Sequence, residues 1–386
     1  MTKFLSFREA SWASMITAFL SSLLVLVYTY LGYPVLITLL ARFFPLRLIP
    51  VVGTRPFVSV LIPVYNGEAY IKGKLDSLLS QDYPPDKLEI LLCSDCSEDN
   101  SDELLREYEQ RFPEQIRVFR MEERSGKPTL LNRLKREARG EVLLMTDIRQ
   151  PLEKSCVTLL VAHLADRSVG VAGGQLLLQG MTGAGLYWKY EKHIRLSESS
   201  FRSVTGVSGS LYVIAAADMP DLPSDIILDD VWVPSQQLLK GKRVVLVPEA
   251  IAWDEALEDD REFGRKIRTL AGNYQLMARL PMLLSPLHNP VWFEFVSHKV
   301  MRLLCPWALL ALLVSSAVLV FGESANSLWP LFLQLLLMGQ LVFYLLALLG
   351  EKGGRLGKLA RTFVVLNIAA LIGLWRYLRG RQKIAW

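Results

Sequence analysis

No charged residue occurs between positions 10 and 41, between 303 and 322, or between 324 and 350. An α-helix rises about 1.5 Å per residue, so an apolar run of roughly 18 or more residues can cross a bilayer. All three runs reach that length. They confine the chain to one plan: a polar middle, opening near Pro56, held between apolar ends.

Composition supports this division. Hydrophobic residues make up 51% of the 386, and the excess over a globular norm of roughly 45–50% sits in the terminal runs. The first run is too long for a signal-peptide core and lacks a small-residue cleavage site, so it reads as a retained anchor rather than a cleaved leader. A fourth run, residues 362–375, is short for a crossing and includes Asn367 and Gly373. Interfacial or re-entrant placement is the alternative. Basic residues follow the runs: Arg42 and Arg47 after the first, Lys352, Arg355, Lys358 and Arg361 after the third. Basic flanks stay cytoplasmic, so the middle is expected in the cytosol and the chain in the inner or plasma membrane. The N-terminus and Glu323 would then lie outside. The fourth run is read as a crossing, with Arg376 and Tyr377 snorkelling to the interface.

The net charge of +5 comes with no basic stripe interleaved with aromatics, so no nucleic-acid partner is expected. Cys93 and Cys96 form a C-x-x-C without a second pair or a nearby His. They read as small loop residues, with a redox pair as the alternative, and not as a zinc site.

Within the middle, hydrophobic periodicity predicts strands at 58–64, 88–93, 116–120 and 141–146. Helices are predicted at 68–79, 102–112 and 129–138. Such alternation implies a parallel α/β sheet covered on both faces, with ligands at the carboxyl ends of its strands. Strands at 169–178 and 209–215 follow, separated by a helical stretch at 186–197; the segments 226–239 and 244–247 come next, and then a basic helix at 259–278. Aromatics and prolines at 281–300 suggest an interfacial segment. The expected divisions are an anchor at 1–50, a catalytic domain at 51–280, the interfacial segment at 281–300 and membrane helices at 301–386. No G-x-G-x-x-G follows the first strand, which argues against a dinucleotide oxidoreductase.

Several elements now line up in order. They are Val58-Ser-Val-Leu-Ile-Pro-Val-Tyr-Asn66, Ser94-Asp-Cys-Ser-Glu-Asp99, Arg124-Ser-Gly-Lys-Pro-Thr-Leu-Leu-Asn132, Thr146-Asp-Ile-Arg-Gln150, Gly206-Val-Ser-Gly-Ser210 and Leu228-Asp-Asp-Val231. Together, over about residues 56–277, the chain resembles membrane-bound family 2 glycosyltransferases. This is the inverting GT-A group that includes cellulose, chitin, hyaluronan and poly-N-acetylglucosamine synthases. The resemblance implies a Rossmann-like GT-A domain flanked by transmembrane and interfacial helices. It implies sugar transfer from a nucleoside diphosphate, UDP first, to a glycan or lipid-linked acceptor at the membrane. Polysaccharide export or assembly partners would accompany it.

The same resemblance assigns residues. Pro63, Tyr65 and Glu68 would lie beside the base, Asp95 would accept hydrogen bonds from the nucleoside, and Lys127 would lie near the phosphates. Gly209 and Ser210 would approach the acceptor. Asp230, with Asp229, would be the base that an inverting transfer needs. A solvated helix cap is the plain alternative for that pair. Asp147 would hold Mg²⁺ or Mn²⁺ with the diphosphate, because a hard cation takes oxygen ligands. Arg149 stands at the second position of the usual D-x-D, so the clamp is incomplete. It would meet the diphosphate or serve as an ion-pair partner. That gap motivates a rival reading, a non-catalytic nucleotide-sugar scaffold or sensor.

In Arg265-Lys-Ile-Arg-Thr269, at the place of a Q-x-x-R-W element, Arg265 and Arg268 would hold the leaving diphosphate. The tryptophan is missing, which weakens processivity, and Trp232 or Trp253 could replace it as a stacking platform. Glu191 and Arg195 have helical ion-pair spacing beside Tyr187 and Trp188. That stretch would line an acceptor channel or pack as core.

Overall fold

The computed structural model describes residues 2–46, 48–51, 53–179, 186–255, 259–321 and 328–380. Arg47 and Glu323 and the residues after 380, on which part of the topology expectation rests, lie outside them. The chain begins with α1 (Thr2–Val27), a π-turn (Tyr28–Gly32) and α2 (Tyr33–Phe43). The middle runs β1 (Val58–Val64), α3 (Glu68–Leu79), β2 (Leu88–Ser94), α4 (Ser101–Arg111), β3 (Ile116–Arg120), α5 (Lys127–Glu137) and β4 (Val142–Met145). Then come α6 (Cys156–Leu164), β5 (Val169–Gln179), α7 (Leu186–Phe201), β6 (Tyr212–Ala215), α8 (Asp229–Leu239), β7 (Arg243–Glu255) and α9 (Asp259–Arg279). The chain closes with the short α10 (Trp292–Glu294), a π segment (Phe295–Val300), α11 (Met301–Phe321), α12 (Leu328–Leu349) and α13 (Gly354–Leu378).

The seven strands form one sheet in the order β3-β2-β1-β4-β6-β5-β7. Alternate residues of the strands feed two cores, as the two-residue period of a strand dictates. Val58, Val60, Ile62 and Val64 of β1 join Ile71, Leu75 and Leu78 of α3 and Leu160 of α6 on one face. Leu61 of β1 and Leu143 of β4 point the other way, to Leu130, Leu131 and Leu134 of α5 and Val233 of α8. The parallel pairing expected of the first four strands is present, and the later part of the sheet is mixed. β6 runs antiparallel to both β4 and β5, while the other pairs are parallel. A four-residue apolar strand reads the same in either direction, so periodicity could not disclose its sense.

Three helical stretches are long and apolar enough to cross a membrane: Trp12–Phe43, Trp292–Phe321 and Leu331–Leu378. The fourth apolar run lies in the longer α13, whose Gly373 lets it sit on α9. A Cβ there would stand 3.0 Å from the Ala271 amide nitrogen and 3.2 Å from the Ile267 carbonyl. The expected interfacial segment divides. Pro281–Leu284 is a 3₁₀ turn next to Leu287, which is 90% exposed, whereas the chain from Trp292 is helical and continues into α11.

Candidate active site

A cleft of about 730 Å³ opens beyond the carboxyl ends of β1 and β4 and extends past α8 and α9 to α11 and α13. β1 lies between β2 and β4, the switch point where such sheets bind ligands. Tyr65 follows β1, Asp147 follows β4, and the first turn of α8 carries Asp229 and Asp230. All of these line the cleft with Lys127, Gly209 and Ser210.

The centre is a charge cluster around Lys127. Its ammonium lies 2.9 Å from Asp147 Oδ1 and 3.3 Å from Asp229 Oδ2. Burial works against that charge, but Asp147, Asp229 and Asp230 outweigh it and hold the lysine above its ordinary range. Asp230 Oδ2 accepts the Gly209 amide at 3.2 Å, and its backbone carbonyl accepts the Val207 amide. A Cβ on Gly209 would stand 3.3 Å from the Lys127 ammonium, so only glycine allows this approach without displacement. Burial, then the neighbouring charge of Asp229, pushes the Asp230 carboxyl up to about 6, against the pull of Lys127, Lys299 and Arg268. A carboxylate tuned toward neutrality can take a proton.

Residues expected at the base end divide into two groups. Tyr65 lines the cleft, with the Arg124 guanidinium 3.7 Å from its ring centre. Asp95 is not among the residues that line the cleft. It is 0% exposed, and its two oxygens accept the amides of Ser125 and Gly126 at 2.7 and 3.0 Å. The carboxylate is therefore occupied in fixing the loop that presents Lys127. Pro63 is buried in β1, in register with Cys93, and does not line the cleft. Glu68 is also outside it, accepting the Asn100 amide at 3.2 Å. Glu68 thereby steadies the loop before α4. Cys96 occupies left-handed backbone at φ 57, and its thiol donates to the Met121 carbonyl.

Arg149 reaches the cleft wall, but its Nη2 is 2.5 Å from Asp254 Oδ2. Of its two expected roles, the ion pair is the one formed. Beneath this loop lies Lys74, fully buried, bonded to Thr146 Oγ1 at 2.6 Å and the Gln150 carbonyl at 2.5 Å. Burial lowers its pKa to about 7, against the attraction of Asp147 and Cys156. Sequence reading missed both Lys74 and Asp254. An isolated lysine on the buried face of α3 was the one available signal.

Arg265 and Arg268 project from α9 into the cleft, Arg265 paired with Glu262 at 2.7 Å. Neither expected substitute tryptophan lines it. Trp232 packs in the core, and the Trp253 indole donates to Glu153 Oε1. The helical pair Glu191 and Arg195 also does not form. Glu191 pairs with Arg302 and with His298, while Arg195 donates to the Gly206 carbonyl.

No group of three or more His, Cys, Asp or Glu side chains among the described residues has metal-binding proximity. Even so, Asp147 and Asp229 converge on a single ammonium. Two carboxylates that already hold a cation provide oxygen donors of the kind a hard dication takes. The residues therefore fit such an ion as a site shared with a ligand's phosphates, not as a cage.

A doubly wound mixed sheet with a carboxylate pair and a basic loop at its switch point is a GT-A-like fold. Residues 59–208 match the family model described as Glycosyl transferase family 2. A curated relative is the putative teichuronic acid biosynthesis glycosyltransferase TuaG of Bacillus subtilis (strain 168), 29% identical over 145 residues. That match covers 38% of this chain and 55% of the relative, so it spans about half the relative's length. Among solved structures, the mannosyltransferase PcManGT from Pyrobaculum calidifontis, in complex with GDP-Man and Mn²⁺, is 22% identical. It aligns over 93% of this chain and 98% of its own, with a TM-score of 0.75. At that identity the likeness is one of fold.

Proposed function

We propose that this protein transfers a sugar from a nucleoside diphosphate, with inversion, to a glycan or lipid-linked acceptor at the cytosolic face of a membrane. The observation that carries this reading is Asp230: a carboxyl pushed up to about 6, bonded to the Gly209 amide and facing Lys127 across the cleft. The acceptor hydroxyl gives its proton to Asp230 as its oxygen bonds to the anomeric carbon. The bond from that carbon to the diphosphate breaks, and its electrons leave with the nucleoside diphosphate. Lys127 and Arg268 offset the charge of the leaving group. Asp147 and Asp229 would hold Mg²⁺ or Mn²⁺, which would add neutralising charge when bound.

The base would stack on Tyr65. The neighbour's GDP-Man leaves the choice between UDP and GDP to experiment. The apolar helices support a membrane site, and the basic flanks support a cytosolic domain. The test is mass spectrometry of products formed from a panel of nucleotide sugars with membranes of the expressing cell. A sugar-bearing product from one donor supports the reading. Nucleotide-sugar binding with neither transfer nor hydrolysis would make the protein a sensor.

A further inference from the structure

The cleft has a second end. Beyond Asp230 it continues to Arg195 of α7, His298 and Lys299 of the π segment, and Arg302 of α11. Most of these cations are paired. Arg302 bonds Glu191, and His298 lies 2.7 Å from Glu198 and 3.3 Å from Glu191. Glu198 also accepts the Tyr33 hydroxyl at 2.6 Å.

Lys299 is different. Among the described residues it makes no hydrogen bond or ion pair, and neither does Arg268. Its ammonium lies 3.6 Å from where a Cβ on Gly206 would stand, in the loop that packs on Asp230. A partly buried ammonium with no direct partner, attracted only at a distance by Asp230, Glu198 and Glu191 and repelled by Arg195, has room for an anion at this end of the cleft. The adjoining wall is apolar and belongs to the long helices: Leu303 of α11, with Phe363, Leu366 and Ala370 of α13.

An anion held beside a hydrocarbon wall matches the phosphate ester of a membrane lipid. We propose that the acceptor is a glycan carried on a lipid phosphate or diphosphate, with the anionic group on Lys299 and the hydrocarbon between α11 and α13. This rests on the transferase reading of Asp230. The nucleophile is a sugar hydroxyl, because an ionised phosphate oxygen has no proton for Asp230 to take. The hydroxyl oxygen bonds to the anomeric carbon, its proton goes to Asp230, and the nucleoside diphosphate departs with the electrons of the broken bond.

The test uses the full chain in detergent or nanodiscs with a radiolabelled donor. The acceptors are a lipid extract, the same extract after mild acid cleavage of glycosyl phosphates, and a neutral glycolipid. Label should enter the untreated extract and be lost after cleavage. Lys299→Met should raise the apparent KM for the extract at least tenfold, and Lys299→Arg should restore it to within about threefold. Nucleotide binding, measured calorimetrically, serves as the folding control. A short isoprenyl diphosphate should compete with the extract in wild type and lose that competition in Lys299→Met. Inhibition by inorganic pyrophosphate but not by the isoprenyl compound would overturn the lipid assignment. Equal transfer to the neutral glycolipid, or an unchanged KM in Lys299→Met, would overturn the site. Absence of nucleotide binding in wild type would overturn the transferase reading, and this proposal with it.

Discussion

Replacing Asp230 by Asn keeps the shape of the side chain and removes its ability to accept a proton. Loss of a general base costs roughly 10²–10⁴-fold in rate, about 3–5.5 kcal/mol of barrier. The same substitution should stabilise the fold. The carboxyl is shifted from 3.8 to about 6 by burial and by Asp229, and each unit is worth about 1.36 kcal/mol. The folded protein therefore holds this proton more tightly than the unfolded chain. The resulting stability is fully present below pH 3.8 and is lost as pH rises through about 6. Asp230→Asn escapes that loss. Above pH 6 it should exceed wild type by about 2–3 kcal/mol, an upper bound set by the size of the shift, and below pH 4 the two should converge. Turnover is followed by release of nucleoside diphosphate, nucleotide affinity by calorimetry, and stability by urea unfolding of solubilised protein. Wild-type turnover should also fall about tenfold per pH unit below 6, as the base protonates. A variant with unchanged turnover, or a wild-type rate flat from pH 5 to 8, refutes the assignment.

Asp147→Ala should weaken nucleotide binding in Mn²⁺ about tenfold or more, and EDTA should do the same to wild type; unchanged affinity with EDTA would leave the carboxylates to Lys127 alone. Lys74→Met should also weaken nucleotide binding, although Lys74 lies outside the cleft. The substitution leaves the Gln150 carbonyl without its buried donor, at about 1–3 kcal/mol, removes one of the two bonds of the Thr146 hydroxyl and loosens the Asp147 loop, so an unaltered dissociation constant would refute this positioning role. Because the folded pKa of Lys74 is lowered to about 7 from 10.5, the unfolded chain binds more protons across that window. Wild-type stability should therefore rise from pH 7 to 9 relative to the Met variant, and parallel curves would contradict it. Cys96→Gly should raise stability by about 0.5–1 kcal/mol in urea unfolding, since left-handed backbone costs a non-glycine residue about 1–2 kcal/mol and only a weak thiol bond is lost; a drop would mean that bond outweighs the strain.

Much of the plan was legible in the residues. Uncharged runs marked the terminal helices. The alternation of short apolar strands with amphipathic helices located β1 to β4 and α3 to α5 to within a few residues. Burial along one element depends on side chains a few positions apart, so local pattern reports it faithfully. The motif order also pointed to Lys127, Asp147, Asp229 and Asp230, which the fold gathers in one cleft.

What local pattern could not carry is the pairing of residues far apart along the chain. Strand order decides those partners. The reversed β6 puts Gly209 against Asp230. The position of β7 brings Asp254 to Arg149 and decides between its two expected roles in favour of the ion pair. The approach of the Lys127 loop to the end of β2 engages Asp95 in backbone bonds. The packing of α7 against α11 takes Glu191 from Arg195 and gives it to Arg302. A charged side chain takes whichever partner is nearest once water is excluded, and that neighbour is set by packing between elements, not by spacing within one.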